Sequence, residues 1–301
     1  MQSLLAAQSG MVSFPETQFF LLVPSAPEQQ SVAESVLDQL LVGLSKHIQI
    51  SAFAASRLRE LCRNGELSAK GLFEQIVCDQ IVQRLGGDGL RRRWVEKSPW
   101  HGFHMDRIVA YYPQAKFIFM LRNPLHCFAS RRGINSSNTS GWGEGWRPVE
   151  SYAEEWVAIM RAMERFKARY PDHIMLVTLE SLADQPQETM RQVCDFCSID
   201  FDPGSIENHR ASAESLIGTG QQWKRDVAAM PISAAIASRE HGPGLTAYEQ
   251  FRVACMIGRV MADYGYHAKA EMPSSLGPEE IDIVMKATDF YRAELRSHSL
   301  G

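Results

Sequence analysis

The stretch KFIFMLRNPLHCFAS, residues 116–130, decides how the chain is read. An apolar run, Phe117 to Leu121, stops on Arg122, a turn with Pro124 follows, and Ser130 stands eight residues after the arginine. An apolar run without polar alternation is the pattern of a strand buried on both faces. Arg122 then marks the carboxyl end of that strand, where ligands bind in open α/β sheets. An arginine that only solvates a strand end is the plainer reading. An anion site is the sharper one.

Outward from this stretch, short apolar runs alternate with helical periods. Gln18–Val23 (QFFLLV) reads as a strand and Ser31–Leu44 as a helix, with further helices at 55–63 and 71–85. Arg93–Glu96 reads as a short strand, 101–112 as a helix, Lys116–Leu121 as a strand and 124–132 as a helix. A Gly/Ser/Asn/Trp stretch at 133–148, containing Trp142 and Trp146, reads as a long loop. Helix 151–170, strand His173–Thr178 and helix 185–197 follow, then an irregular segment at 198–232 and helices at 233–239 and 245–264. The alternation predicts an α/β fold with a parallel sheet flanked by helices. Residues 1–270 are expected to form one domain, and 271–301 a linker with a C-terminal helix.

Composition bounds the function. The chain has 301 residues, 45% hydrophobic and 22% charged, enough to bury a sizeable core. A net charge of −4 gives no general attraction for nucleic acid or an anionic membrane, so a bound anion needs a local site. No apolar run reaches the roughly 20 residues of a membrane span. The first residues lack a basic segment and a long apolar core, which predicts a cytoplasmic protein. Six scattered cysteines fit reduced thiols, and Cys194 and Cys197 in MRQVCDFCSI read as two thiols on a buried helix face, so no metal site is expected.

Three segments meet at the predicted sheet edge: Glu96-Lys97-Ser98-Pro99, Arg122 with Ser130, and Gly218-Thr219-Gly220-Gln221-Gln222-Trp223-Lys224. Together with YYPQAKFIFMLRNPLHCFAS and the span from Ser151 to Asp200, this set resembles the sulfotransferase family that uses 3′-phosphoadenosine 5′-phosphosulfate (PAPS). Within that family it is similar to the branch of tyrosylprotein and many bacterial sulfotransferases, over roughly residues 90–265. The resemblance implies the P-loop-NTPase-like sulfotransferase fold and PAPS as co-substrate, with no metal. It gives Arg122 and Ser130 to the 3′-phosphate, which a guanidinium fork suits. Lys97 would stabilise charge on the sulfuryl group in flight or on the bridging oxygen. Gly220, Trp223 and Lys224 would belong to a loop that closes on the nucleotide.

The family also carries an N-terminal strand–loop–helix, P-[KR]-[ST]-G-[ST]-[ST], which holds the 5′-phosphosulfate. Here the loop after QFFLLV reads PSAPEQQS, which puts Pro27 at the proline and Ser31 at a hydroxyl position. Glu28 then falls at the basic position and Gln30 at the glycine. A carboxylate about 5 Å from one phosphosulfate charge opposes it by about 3 kcal/mol at an effective dielectric near 20. The general base is expected among His101, His104 and His47, with His101 preferred as the first residue of a helix facing the site.

Three functions compete. The leading one is sulfuryl transfer from PAPS to a hydroxyl on a small-molecule or carrier-bound acceptor, with loop 133–148 forming part of the acceptor pocket. The second is a sulfotransferase-fold protein altered or inactive in catalysis, which binds a nucleotide, a carrier-bound substrate or a partner. The third keeps the fold and uses another phosphorylated donor. No nucleic acid or membrane partner is expected, and the chain is compatible with a homo-oligomer. A nucleoside kinase is disfavoured, since G-x-x-x-x-G-K-[ST] does not occur.

Overall fold

The computed structural model describes residues 1–23, 31–137, 149–217, 225, 232 and 244–267, with the backbone alone for 132–137. The chain divides into two compact units, one of Met1–Met120 with Arg165–Ser233 and one of Leu121–Glu164 with Ala234–Gly301.

In the first unit, helix α1 (Gln2–Ala6) leads into strand β1 (Met11–Ser13). β1 pairs in parallel with β2 (Arg93–Val95), with Met11 opposite Arg93 and Ser13 opposite Val95. The Ser13 hydroxyl fixes this register by donating to the Val95 carbonyl at 2.7 Å. A parallel pair needs a long crossover. It contains α2 (Phe19–Leu22), α3 (Glu34–Ser45), α4 (Ala52–Arg63) and α5 (Ala69–Leu85). Ser51 and Ser68 start α4 and α5 by accepting the amides of Ala54 and Gly71, as N-cap hydroxyls do. Ala54, Leu58 and Cys62 recur every four residues and put one face of α4 in the core. Phe73 of α5 packs against Phe19 and Phe20, with ring centroids 4.7 and 5.2 Å away.

Beyond β2, a 3₁₀ turn (Pro99–Phe103) and α6 (Met105–Tyr111) precede β3 (Phe117–Leu121). β3 pairs with β4 (Ile174–Thr178), so the described strands form two pairs. Helices α7 (Pro124–Ser137) and α8 (Val149–Arg169) lie between them in sequence, and α9 (Leu179–Asp184), α10 (Pro186–Cys197) and α11 (Ser205–Ser215) come after β4. Leu4 and Leu5 of α1 close a second core with Val177, Val193 and Cys194. None of the six cysteines forms a disulfide, and burial pushes the Cys194 thiol up to about 11.

The second unit holds α7, α8 as far as Glu164, and a last described helix, α12 (Ala247–Asp263). Thr246 and Glu249 start α12 with a reciprocal capping box. Val253, Met256 and Ile257 are buried on it, and Phe128 of α7 stacks on Tyr152 of α8 with centroids 6.0 Å apart.

The α/β class, the parallel pairing and most helices agree with the sequence reading. The expected strand Gln18–Val23 is a helix over Phe19–Leu22 instead. A short apolar run has no period that separates strand from helix. Here Phe19 and Phe20 turn into the aromatic core while Leu21 stays half exposed. The segment 198–232, read as irregular, contains α11, and α7 continues to Ser137 into the expected loop. The expected helix 101–112 begins as a 3₁₀ turn and becomes α-helical at Met105. Trp142, Trp146, helix 233–239 and residues 271–301 lie outside the described residues.

Phe73 is 1% exposed and joins the crossover to both phenylalanines of α2. Phe73→Ala is expected to lower unfolding free energy by about 3–5 kcal/mol in urea denaturation, the range for large-to-small core truncation. A loss below about 1 kcal/mol would show that this cluster does not hold the crossover.

Candidate functional site

Because β1 and β2 are parallel and in register, their carboxyl ends lie side by side. The turn after β1, Phe14–Gln18, meets the segment after β2, Glu96–Ser98. Glu96 joins them. Its Oε1 accepts the Thr17 amide at 3.0 Å, the Thr17 hydroxyl at 2.9 Å and the Ser98 hydroxyl at 2.8 Å. Ser98 in turn accepts the Gln18 amide at 3.1 Å, and the Thr17 hydroxyl accepts the Phe19 amide at 3.1 Å. The Glu96 side chain is 2% exposed. A carboxylate so buried is sustained by the number of donors aimed at it.

Lys97, which the sequence places at this edge, forms an ion pair with Glu16 of the turn. The Glu16 side chain is 6% exposed and that of Lys97 45%, so the pair runs from the interior out to solvent. The side-chain amide of Gln18 also reaches Glu16 Oε2, at 3.3 Å. His101 stands in the 3₁₀ turn opened by Pro99, edge-on to Phe20 with centroids 5.5 Å apart. Its Nδ1 lies 3.0 Å from Glu96 Oε2, close in distance but not aligned as a hydrogen bond. Its Nε2 is buried with no hydrogen-bond partner among the described residues. Burial, with the nearby Arg107 and His101, holds the His104 imidazole below the usual histidine pKa, and burial lowers that of His47 against the opposing pull of Glu16.

The turn lies between a strand and a helix, as the family's N-terminal loop does. Met11–Ser13 is the strand and Phe19–Leu22 the helix, so the pattern P-[KR]-[ST]-G-[ST]-[ST] falls on Pro15-Glu16-Thr17-Gln18-Phe19-Phe20. Gln18 has φ 56°, in the left-handed region, at the position where the pattern has glycine. Only glycine adopts that conformation without strain. Pro15 and Thr17 match the pattern, Glu16 reverses the charge of its basic residue, and two phenylalanines replace its last hydroxyls. The earlier placement depended on QFFLLV as the strand. Ser31 instead donates its hydroxyl to the Gly65 carbonyl at 3.0 Å and bridges to Ser68, while α3 begins at Glu34. Pro27, Glu28 and Gln30 lie outside the described residues, as do Gly220, Trp223 and Lys224.

Arg122 and Ser130 belong to the second unit. Asn123 Oδ1 accepts the Leu125 amide at 3.0 Å and so caps α7, with Arg122 just ahead of the cap. Ser130 is the seventh residue of α7 and is 9% exposed. Its neighbour Arg131 pairs with Glu155 and lies over the Tyr152 ring at 5.2 Å.

Glu16, Thr17 and Gln18 escaped the sequence reading, and so did the anchoring role of Glu96. The available signal was Pro15-Glu16-Thr17 directly after Met11-Val12-Ser13-Phe14, three residues being enough for a strand in a parallel pair.

The backbone at residue 18 can be tested. Gln18→Ala and Gln18→Gly remove the same side-chain contacts, so their difference isolates the positive φ. The glycine variant is expected to be more stable by about 1 kcal/mol in chemical denaturation. Equal stabilities would place residue 18 outside the left-handed region.

Comparison with known proteins adds three findings. A family model described as "Sulfotransferase family" matches residues 1–203. The solved "Sulfotransferase Domain from the Curacin Biosynthetic Pathway" is similar at 17% identity, covering 95% of this chain and 91% of that one, with a TM-score of 0.49. The "Sulfotransferase Domain from the Synechococcus PCC 7002 Olefin Synthase" is similar at 16% identity, covering 95% and 88%, with a TM-score of 0.48. No curated protein matches the chain.

Proposed function

The chain belongs to the sulfotransferase family, and from that premise we propose that it transfers a sulfuryl group from PAPS to a hydroxyl on a small-molecule or carrier-bound acceptor. The S–O bond to the bridging oxygen of the donor breaks, a bond from sulfur to the acceptor oxygen forms, and the acceptor proton passes to His101. Lys97 carries the charge that develops in transfer, where a compact ammonium acts most strongly. Arg122 and Ser130 hold the 3′-phosphate, and Gly220, Trp223 and Lys224 contribute to nucleotide binding.

One observation carries the reading. Lys97 and His101 stand at the shared carboxyl end of β1 and β2, beside a turn whose backbone bends as the family pattern requires. His101 Nε2 has the burial and the unmet hydrogen-bonding capacity that a base accepting a hydroxyl proton needs.

The second reading, a family member altered in its use of the donor, is favoured by Glu16. A carboxylate at the basic position opposes a phosphosulfate and holds the lysine that should meet it.

Two measurements test the proposal. Arg122→Ala is expected to weaken binding of adenosine 3′,5′-bisphosphate by about 2–4 kcal/mol in calorimetry, by loss of a charge-assisted fork. Lys97→Met is expected to slow release of that nucleotide from PAPS, across hydroxylated acceptors, by at least about a hundredfold. Wild-type affinity in the arginine variant would remove the nucleotide site, and an unchanged rate in the lysine variant would remove the transfer role.

A further inference from the structure

The turn Phe14–Gln18 is satisfied from within. Three consecutive amides, those of Thr17, Gln18 and Phe19, donate to Glu96, Ser98 and Thr17. The one lysine of the segment after β2 is paired with Glu16. In the family pattern the same turn offers amides and a cation to the 5′ end of the donor. Here one carboxylate and two hydroxyls of the protein take up those amides, and the turn presents a carboxylate, Glu16, in place of the cation.

We propose that Glu16 is the residue that sets donor affinity, an internal anion that holds Lys97 and that the 5′ group of the nucleotide must displace. This rests on the sulfotransferase reading of the same site.

The two carboxylates differ in what they can give up. Glu96 is enclosed, and one of its oxygens accepts three donors that tie the turn to the strand, so removing it would release the turn itself. Glu16 accepts from Lys97 and from the Gln18 side chain, and its ammonium partner is nearly half exposed. Solvent and a ligand can reach the half-exposed ammonium, and a ligand that takes it leaves the nearly buried Glu16 carboxylate without that cation, a cost set against donor binding. The bound donor then faces two opposing charges, Glu16 and Glu96, against Lys97. Neutralising Glu16 leaves the lysine to the ligand and removes a like charge from its path. The effect is confined to the 5′ end, since the 3′-phosphate is assigned to Arg122 and Ser130 in another part of the chain.

The experiment uses the full chain and two nucleotides, adenosine 3′,5′-bisphosphate and adenosine 3′-monophosphate, which lacks the 5′ group. Affinities are measured by calorimetry for wild type, Glu16→Gln, Glu16→Arg and Glu16→Asp, with thermal melts to establish folding. Glu16→Gln is expected to bind the bisphosphate at least about tenfold more tightly than wild type, and Glu16→Arg more tightly still. The monophosphate should bind all four proteins within about threefold, and Glu16→Asp, which keeps the charge, should stay near wild type for both. Bisphosphate affinity unchanged in the neutral and reversed variants overturns the inference and leaves the sulfotransferase reading standing. An equal gain for both nucleotides also overturns it, because the effect would not lie at the 5′ end. Binding of neither nucleotide by any variant overturns the donor reading and this inference with it. Should Glu16→Gln fail to fold, Glu16→Arg against Glu16→Asp still separates charge from shape.

Discussion

The carboxylate of Glu96 is the contact on which the edge of the first strand pair depends. One oxygen gathers an amide and a hydroxyl from the turn after β1 and a hydroxyl from its own segment. Parallel strands cannot be joined by a hairpin, so past the backbone ladder of β1 and β2 it is such side-chain bridges and the packing of the crossover that hold the following segments together. With the bridge in place, Lys97, Ser98 and His101 acquire fixed neighbours. Without it, the Thr17 amide and the Thr17 and Ser98 hydroxyls would lose their shared acceptor, each group left unpaired a penalty of about 1–3 kcal/mol.

That bridge also creates the tension in this protein. The chain belongs to the sulfotransferase family, and the edge that carries Lys97 and His101 already contains two carboxylates. Polar groups at such an edge are satisfied either by a ligand or by the protein, and here the protein supplies the acceptors. A self-liganded turn is more ordered before binding and gains less from it.

The second unit carries Arg122 just ahead of α7. Asn123 caps α7 from just behind Arg122, so a guanidinium and a helix start are adjacent in the chain for a reason of local geometry. Capping fixes where the helix begins, and the beginning of the helix fixes where the arginine leaves the backbone. Ser130, buried farther along α7, is held by packing of that helix rather than by its cap.

The sequence by itself determined the family resemblance, the positions of Lys97 and Arg122 at strand ends, and nearly every helix with a 3.6-residue apolar period. Those features are local: a cap, a period or a strand terminus is written within a few residues. Tertiary structure decided the rest. QFFLLV is apolar without period, and only the ring of Phe73 and the exposure of Leu21 make it a helix. That assignment moved the N-terminal loop to Pro15–Phe20 and revealed the left-handed Gln18. The pairing of Glu16 with Lys97 joins residues that are remote in sequence, and no propensity or motif states which carboxylate a lysine will find. It is fixed by the register of β1 on β2, and register is a property of two strands together.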